Sequence, residues 1–175
     1  SQYLRRRRDP GVLGQAQGLF RLALRAWPPS VVARINGGVV LARRAELAIE
    51  AGQAQRGRAL LEQAADATEQ ALARSPLRYV GLMNAGKFRL RLAELSGPAD
   101  SGAALAQSQR AQVHFERALR VHPERSAPYF NLGILAARLQ RWPEARRHFR
   151  AAVARAPGDA AAREYLKRVE QAFGR

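Results

Sequence analysis

The chain carries one pattern of small, apolar and proline positions four times. In each copy an alanine is followed by leucine or valine, then by three other residues and a proline. These alanines are Ala23, Ala71, Ala118 and Ala152, and the prolines, 48, 47 and 34 residues apart, are Pro28, Pro76, Pro123 and Pro157. Eight residues after each of the first three prolines comes an asparagine, with a glycine two residues later. This shared phase predicts an internally repeated fold.

Between these markers the sequence favours helices. Alanine, the strongest helix former, accounts for 35 of the 175 residues, and β-branched runs are almost absent. Each proline is expected to end one helix, and the candidate N-caps of the helices that follow are Ser30, Ser75 and Ser126. Turns within the repeats are predicted at Gly52 and Gly57, at Ser96-Gly97-Pro98, and at Gln140-Arg141. The repeated unit is therefore predicted to be a helical hairpin.

The last unit, residues 126–159, has a distinctive order of aromatic and small residues. Its predicted first helix contains Tyr129, Leu132 and Gly133, and its predicted second helix contains Trp142, Ala145, Phe149, Ala152 and then Pro157. This order resembles the tetratricopeptide repeat, which has a period of about 34 residues. The resemblance implies a solenoid of helical hairpins whose first helices line a concave groove.

The two middle units are longer than this repeat. Ala64 lies 17 residues after Leu47, and Ala111 lies 16 residues after Leu95, where the last unit has only three between Trp142 and Ala145. Sharing the excess between two antiparallel helices predicts helices of about 20 residues. HEAT-like repeats also have periods of about 40–47 residues and are the alternative for these units, but the last unit favours the tetratricopeptide assignment.

The predicted fold is an all-α, right-handed solenoid of tetratricopeptide-like hairpins, two of them with lengthened helices, and a C-terminal capping helix. Asp159 is expected to cap this last helix, in which Tyr165, Leu166, Val169 and Phe173 form one apolar stripe that covers the open end. The predicted segments are a basic leader (1–9), a half repeat (10–28), three repeats (29–76, 77–123 and 124–158) and the capping helix (159–175).

The net charge of +16 indicates a strongly acidic partner. Of the 30 basic residues 28 are arginine, and a composition rich in alanine and arginine but poor in lysine is typical of GC-rich bacterial genomes. Four consecutive arginines, Arg5, Arg6, Arg7 and Arg8, suit an anionic membrane surface or a solvated charged segment. The expected location is the bacterial cytoplasm or the soluble part of a membrane-associated protein, and the sequence leaves this choice open.

No catalytic, metal or cofactor site is predicted. The chain has no cysteine, no glycine-rich phosphate loop and no nucleophile motif. His114 and His148 precede Phe115 and Phe149 at equivalent places, without a second ligand at metal spacing, and are expected to be structural. The chain is therefore predicted not to be an enzyme.

A ladder of polar residues recurs on the predicted first helices. An arginine lies seven residues, about two helical turns, after each repeated asparagine, and Lys87 lies one turn after the second asparagine. The predicted partner-binding residues are Asn36, Arg43, Asn84, Lys87, Arg91, Asn131 and Arg138. In the tetratricopeptide family this asparagine commonly contacts the ligand backbone, a role that only the resemblance implies. The alternative is that the asparagines bond neighbouring helix groups.

Three functions remain open. The favoured one is a non-enzymatic scaffold that binds a peptide segment or an acidic protein in the groove. A nucleic-acid or polyanion module is less favoured because only 7% of residues are aromatic. The third is an accessory soluble domain of a bacterial membrane protein, such as a surface-polysaccharide polymerase or ligase.

Overall fold

A computed structural model describes residues 9–27, 30–96 and 101–173 of the chain. Within these ranges the chain forms eight α-helices and no strand. The helices are α1 (Pro10–Ala26), α2 (Val31–Glu50), α3 (Ala54–Arg74), α4 (Tyr79–Leu95), α5 (Ser101–Val121), α6 (Ser126–Arg138), α7 (Trp142–Arg155) and α8 (Ala160–Phe173). The basic segment Arg5–Arg8, Pro28 and the predicted Gly97-Pro98 turn lie outside the described residues. The helical repeat fold is confirmed.

The turns between hairpins share one geometry. The amides of Ser75, His122 and Ala156 donate to the carbonyl oxygens four residues earlier, at 2.9–3.0 Å. Each of these three residues directly precedes one of the repeated prolines, and its own carbonyl accepts from the amide three residues further on. Because proline cannot continue a helix, the repeated proline sets the same exit each time.

The serines play different parts at these turns. Ser30 is the N-cap of α2, because its Oγ accepts from the amide of Ala33 at 3.2 Å. Ser75 instead ends α3 as its C-cap, and Ser126 is the first residue of α6, following the N-cap Arg125. The N-cap prediction is therefore correct for Ser30 and wrong for Ser75 and Ser126. At the latter two turns the N-cap positions are held by Arg78 and Arg125, so Ser75 lies before the cap and Ser126 lies after it.

The turns inside the helical hairpins α2–α3 and α6–α7, the first and third of the chain, are closed by a residue with positive φ. Gly52 (φ 76°) follows α2 and Gln140 (φ 56°) follows α6, and in both turns the next amide donates to the carbonyl five residues earlier, as in the Schellman pattern. Gly57, predicted to lie in the first of these turns, lies inside α3 and is buried. A Cβ atom there would be 2.4 Å from Ile49 Cγ1 and 3.0 Å from the carbonyl oxygen of Ala45, so this glycine serves a close contact between helices.

Each hairpin is packed by a glycine on its first helix facing the middle of its second helix. A Cβ at Gly86 would be 2.4 Å from Phe115 Cε1, and one at Gly133 would be 2.7 Å from Phe149 Cε1. In the first hairpin Gly38 faces Thr68, whose hydroxyl donates to the Ala64 carbonyl at 2.8 Å. Thr68 thus stands where the other two hairpins have a phenylalanine. The ring that approaches Gly38 is instead that of Phe88, from the next hairpin.

The hairpins α2–α3, α4–α5 and α6–α7 stack in chain order. First helices of successive hairpins also contact one another, α2 with α4 and α4 with α6. In a curved stack the layer whose successive helices touch is the inner one, so α2, α4 and α6 line the inner face. The helices of the two middle units are 20, 21, 17 and 21 residues long, close to the predicted length.

The capping helix α8 covers the end of the stack. Asp159 Oδ1 accepts from the amides of Ala161 and Ala162 at 3.0 and 3.1 Å, which confirms the predicted cap. Val169 is buried, and the Tyr165 ring stacks on Phe149 with centroids 5.5 Å apart. The side chain of Phe173 lies outside the described part of the structure.

Candidate functional site

A cleft of about 710 Å³ lies on the inner face between α2 and α4. Its buried floor comes from three different helices, through Leu13, Leu61, Phe88 and Leu90. Its exposed rim includes Val39, 43% exposed, together with Arg43 and Lys87. This α2/α4 cleft is therefore apolar at its base and cationic at its solvent edge.

Four of the predicted partner-binding residues line the α2/α4 cleft together: Arg43, Asn84, Lys87 and Arg91. They meet because positions seven apart share a helix face and because α4 packs beside α2. The side-chain amide of Asn84 is half-buried and has no hydrogen-bond partner among the described residues. A partner backbone could use both its donor and its acceptor.

The other three predicted residues lie elsewhere. Asn36 is exposed on α2 and does not line the cleft. Asn131 is buried, and its Nδ2 donates to the Ala127 carbonyl oxygen at 2.7 Å, which is the local hydrogen bond that the sequence left as an alternative. Arg138 Nη2 donates to the Ala93 carbonyl oxygen at 3.3 Å and lines a separate cleft of about 340 Å³ with Leu105 and Ser108. The ladder is thus divided between different environments.

Arg91 is already occupied by two carboxylates. Its Nε and Nη2 donate to the two oxygens of Glu46 on α2 at 3.0 and 3.1 Å, and its Nη1 donates to Glu94 at 2.9 Å. The hydrogen bonds to Glu46 and Glu94 raise the pKa of the Arg91 guanidinium, so it remains charged at all working pH values. A guanidinium held in this way links α4 to α2 across the cleft.

Arg43 and Lys87 differ from Arg91 in having no ion pair within the described part of the chain. Both are exposed at the rim, one on α2 and one on α4. The cleft therefore presents two available cations over an apolar floor, and its third cation has a structural role.

Sequence reasoning missed the two acids and the apolar lining of this cleft. Glu94 lies three residues after Arg91, a spacing that signals an ion pair on one helix. Glu46 lies 45 residues before Arg91, so no local spacing could reveal that pair. The role of Phe88 could not be predicted from local spacing either. Its ring approaches Gly38 beside Thr68, which occupies the place of a phenylalanine in the other hairpins.

A second charged cluster, centred on the buried side chain of Arg89, lies outside the cleft and joins α3, α4 and α5. Arg89, only 3% exposed, bonds Glu69 at 2.6 and 2.8 Å and Asp66 at 2.8 Å, and His114 Nε2 lies 3.0 Å from Glu69 Oε1. Burial acts to raise the pKa of Glu69, but the hydrogen bonds of His114 and Arg89 outweigh it and lower that pKa to about 2. His114 thus serves this cluster, in agreement with its expected structural role.

Within residues 9–27, 30–96 and 101–173, no three His, Cys, Asp or Glu side chains are grouped so that they could hold a metal ion. His148 packs in the last hairpin, where burial and then the charge of Arg147 lower its pKa. None of the described helices is both long enough and apolar enough to span a bilayer.

Neither a family model nor a curated protein matches this sequence. Among solved structures, MamA is similar over 94% of this chain and 80% of its own, with a TM-score of 0.71 and 14% identity. TTC0263, described as a thermophilic TPR protein in Thermus thermophilus, is similar over 94% of this chain and 76% of its own, with a TM-score of 0.66 and 21% identity.

A third similar structure is the first TPR of Spaghetti (RPAP3), bound to the HSP90 peptide SRMEEVD. It covers 81% of this chain and 98% of its own, with a TM-score of 0.57 and 16% identity. All three identities are low, so the likeness concerns the backbone fold. Together with the phased prolines, the glycine and ring contacts and the capping helix, these similarities give this chain the fold of the tetratricopeptide repeat (TPR) family.

Proposed function

We propose that the protein is a non-enzymatic scaffold that binds a segment of another protein in the α2/α4 cleft. The observation that carries this proposal is the meeting of Arg43, Asn84 and Lys87, from two first helices, above one apolar floor. None of the three is used by a hydrogen bond or ion pair within the described residues. Polar groups that have no internal partner and lie beside apolar surface are the usual make-up of a recognition site.

The comparisons support this proposal in one respect. A structure with the same fold, the first TPR of Spaghetti, was solved with a peptide bound. The fold can thus hold a peptide in at least that protein, and in this chain the inner face offers a cleft of suitable size.

Selection of peptides from a displayed random library tests the proposal. Immobilised protein should enrich related peptides, and the double substitution Asn84→Ala with Lys87→Ala should weaken their binding by about tenfold or more. The control is Arg110→Ala with Arg147→Ala, which removes two exposed positive charges, one more than the cleft variant, from the second helices α5 and α7. This control should change the affinity by less than about twofold.

Nucleic-acid binding is the competing function, favoured by the net charge of +16. Binding of this kind follows total charge, so the control, which removes two positive charges, would weaken it more than the cleft variant, which removes one. The logarithm of its affinity would also fall steeply with the logarithm of salt concentration. Tight, length-dependent binding of DNA or RNA at physiological salt, with no enrichment of peptides, would replace the scaffold proposal.

A further inference from the structure

The three cations of the α2/α4 cleft are not equivalent. Arg91 is neutralised by Glu46 and Glu94, whereas Arg43 and Lys87 meet no acid among the described residues. A ligand acid that approached Arg91 would have to displace a two-point contact with Glu46. An acidic ligand is therefore directed to Arg43 and Lys87, one on each wall of the cleft.

The floor between these two cations has a different chemistry. Leu61 and Leu90 are buried, Phe88 is 9% exposed, and Val39 extends the apolar surface up to the rim. None of the polar side chains described in the cleft lining is buried in this floor. A ligand that supplied only acidic groups would leave the apolar surface in contact with water. A bulky apolar group on the ligand would bury that surface and so strengthen binding.

We propose, on the basis of the scaffold function above, that the cleft binds an internal acidic peptide segment with one large apolar side chain as its anchor. The anchor lies on the floor, acidic side chains on either side of it meet Arg43 and Lys87, and the amide of Asn84 bonds the peptide backbone. Arg91 is a positioning residue that fixes the separation of α2 and α4. Because side-chain carboxylates of the ligand supply the partners of both Arg43 and Lys87, this arrangement needs no terminal carboxylate.

Charge and burial argue against other occupants of the cleft. A second copy of the chain carries the same +16 and would be repelled. A phosphate backbone would meet the carboxylates of Glu46 and Glu94 inside the cleft, and Phe88, the aromatic residue of the lining, is too deeply buried to stack on a base. A peptide that alternates acids with an apolar side chain satisfies the rim and the floor together.

The test uses two fluorescein-labelled probe peptides, acetylated and amidated at their ends so that no terminal carboxylate remains. One has a single phenylalanine flanked by aspartates, and the other has alanine in its place. Fluorescence anisotropy should show the phenylalanine probe binding at least about tenfold more tightly. The double variant Arg43→Ala, Lys87→Ala should lose about tenfold or more in affinity for it. Val39→Asp should lose a similar factor because it replaces part of the apolar surface with a negative charge that repels the acidic probe.

The control Arg110→Ala, Arg147→Ala should stay within about twofold of the wild type. Circular dichroism of each variant verifies that the exposed substitutions leave the helices intact. Equal affinity for the two probes would overturn the anchor, and equal losses in the cleft and control variants would overturn the placement of the acids. If neither probe binds while library-selected peptides bind through Asn84 and Lys87, this inference is wrong and the scaffold function stands. If no peptide is selected at all, both are wrong.

Discussion

Arg91 on α4 holds Glu46 on α2 through two nitrogens of its guanidinium, Nε to one carboxylate oxygen and Nη2 to the other. The two side chains are each about one-third exposed, so solvent screens the pair without removing it. Because this contact joins consecutive first helices, it belongs to the framework of the inner face and not to its free surface.

A double-mutant cycle should reveal this coupling. The variants Arg91→Ala, Glu46→Ala and their combination should give an interaction free energy of about 0.5 to 1 kcal/mol in urea unfolding. The same cycle between Arg43 and Glu46, which are not paired, should give a value close to zero. A vanishing coupling for Arg91 with Glu46 would mean that the cleft width is set by apolar packing alone.

The candidate site could be predicted from sequence only as far as local spacing reaches. The interval of seven residues placed Asn84 and Arg91 on one face of one helix, and that placement is what brings both to the cleft. Spacing carries no information on the partner that a side chain finds on another helix. It therefore could not show that Arg91 is bound to Glu46, or that Asn131 is bound to its own helix.

Replacing a glycine at a helix contact with alanine should destabilise the protein, whereas the same replacement on an exposed helix face should not. Gly133→Ala places a Cβ against the buried ring of Phe149, and Gly57→Ala places one against the Ala45 carbonyl oxygen. Each should lower the free energy of unfolding by about 1 to 3 kcal/mol. Gly18→Ala, with open space around its Cβ, should instead raise it by about 0.5 to 1 kcal/mol through helix propensity.

Thermal or urea denaturation of the three variants checks this order. The sequence predicted that Gly57 lies in a turn, and its burial inside α3 contradicts that prediction. A neutral Gly57→Ala substitution would show that the α2–α3 contact can open at little cost.

The two turns with positive φ allow a reciprocal test. Gln140 adopts the left-handed conformation that Gly52 adopts without strain at the equivalent turn. Gln140→Gly should therefore raise the free energy of unfolding by about 1 kcal/mol, and Gly52→Ala should lower it by about the same amount. Urea denaturation measures both changes, and a destabilising Gln140→Gly substitution would show that its side chain contributes more than the backbone strain removes.

The fold was more predictable than the site because its signals are periodic. Proline, glycine and alanine recur in phase, and each acts through the backbone or through lack of bulk, so its effect depends little on distant partners. The predictions of a turn at Gly57 and of an N-cap at Ser75 were wrong. Glycine and serine each suit more than one position in a turn or helix, and contacts with neighbouring residues determine which one they occupy. The packing of Phe88 against Gly38, in place of a ring at Thr68, likewise involves two hairpins and has no local signature in the sequence.

Acid should lower the free energy of unfolding through the charged cluster around the buried Arg89. The pKa of Glu69 is about 2 in the folded chain, below the ordinary value of 4.5. The unfolded chain therefore takes up this proton first as the pH falls. The stabilisation from Glu69 is fully present above about pH 5 and is lost progressively as the pH drops toward 2.

Urea unfolding at pH 6 and pH 3 measures this loss. Between the two pH values, the free energy of unfolding should fall by about 2 kcal/mol more in the wild type than in Glu69→Gln. The variant is already less stable at pH 6 because Arg89 and His114 lose a charged partner, but it has no Glu69 carboxylate left to protonate. Glu164→Gln, which removes a half-exposed carboxylate on α8, is the control and should keep the acid sensitivity of the wild type. An unchanged acid response in Glu69→Gln would show that the charge of Arg89 is compensated mainly by Asp66, and that the contact between His114 and Glu69 contributes little.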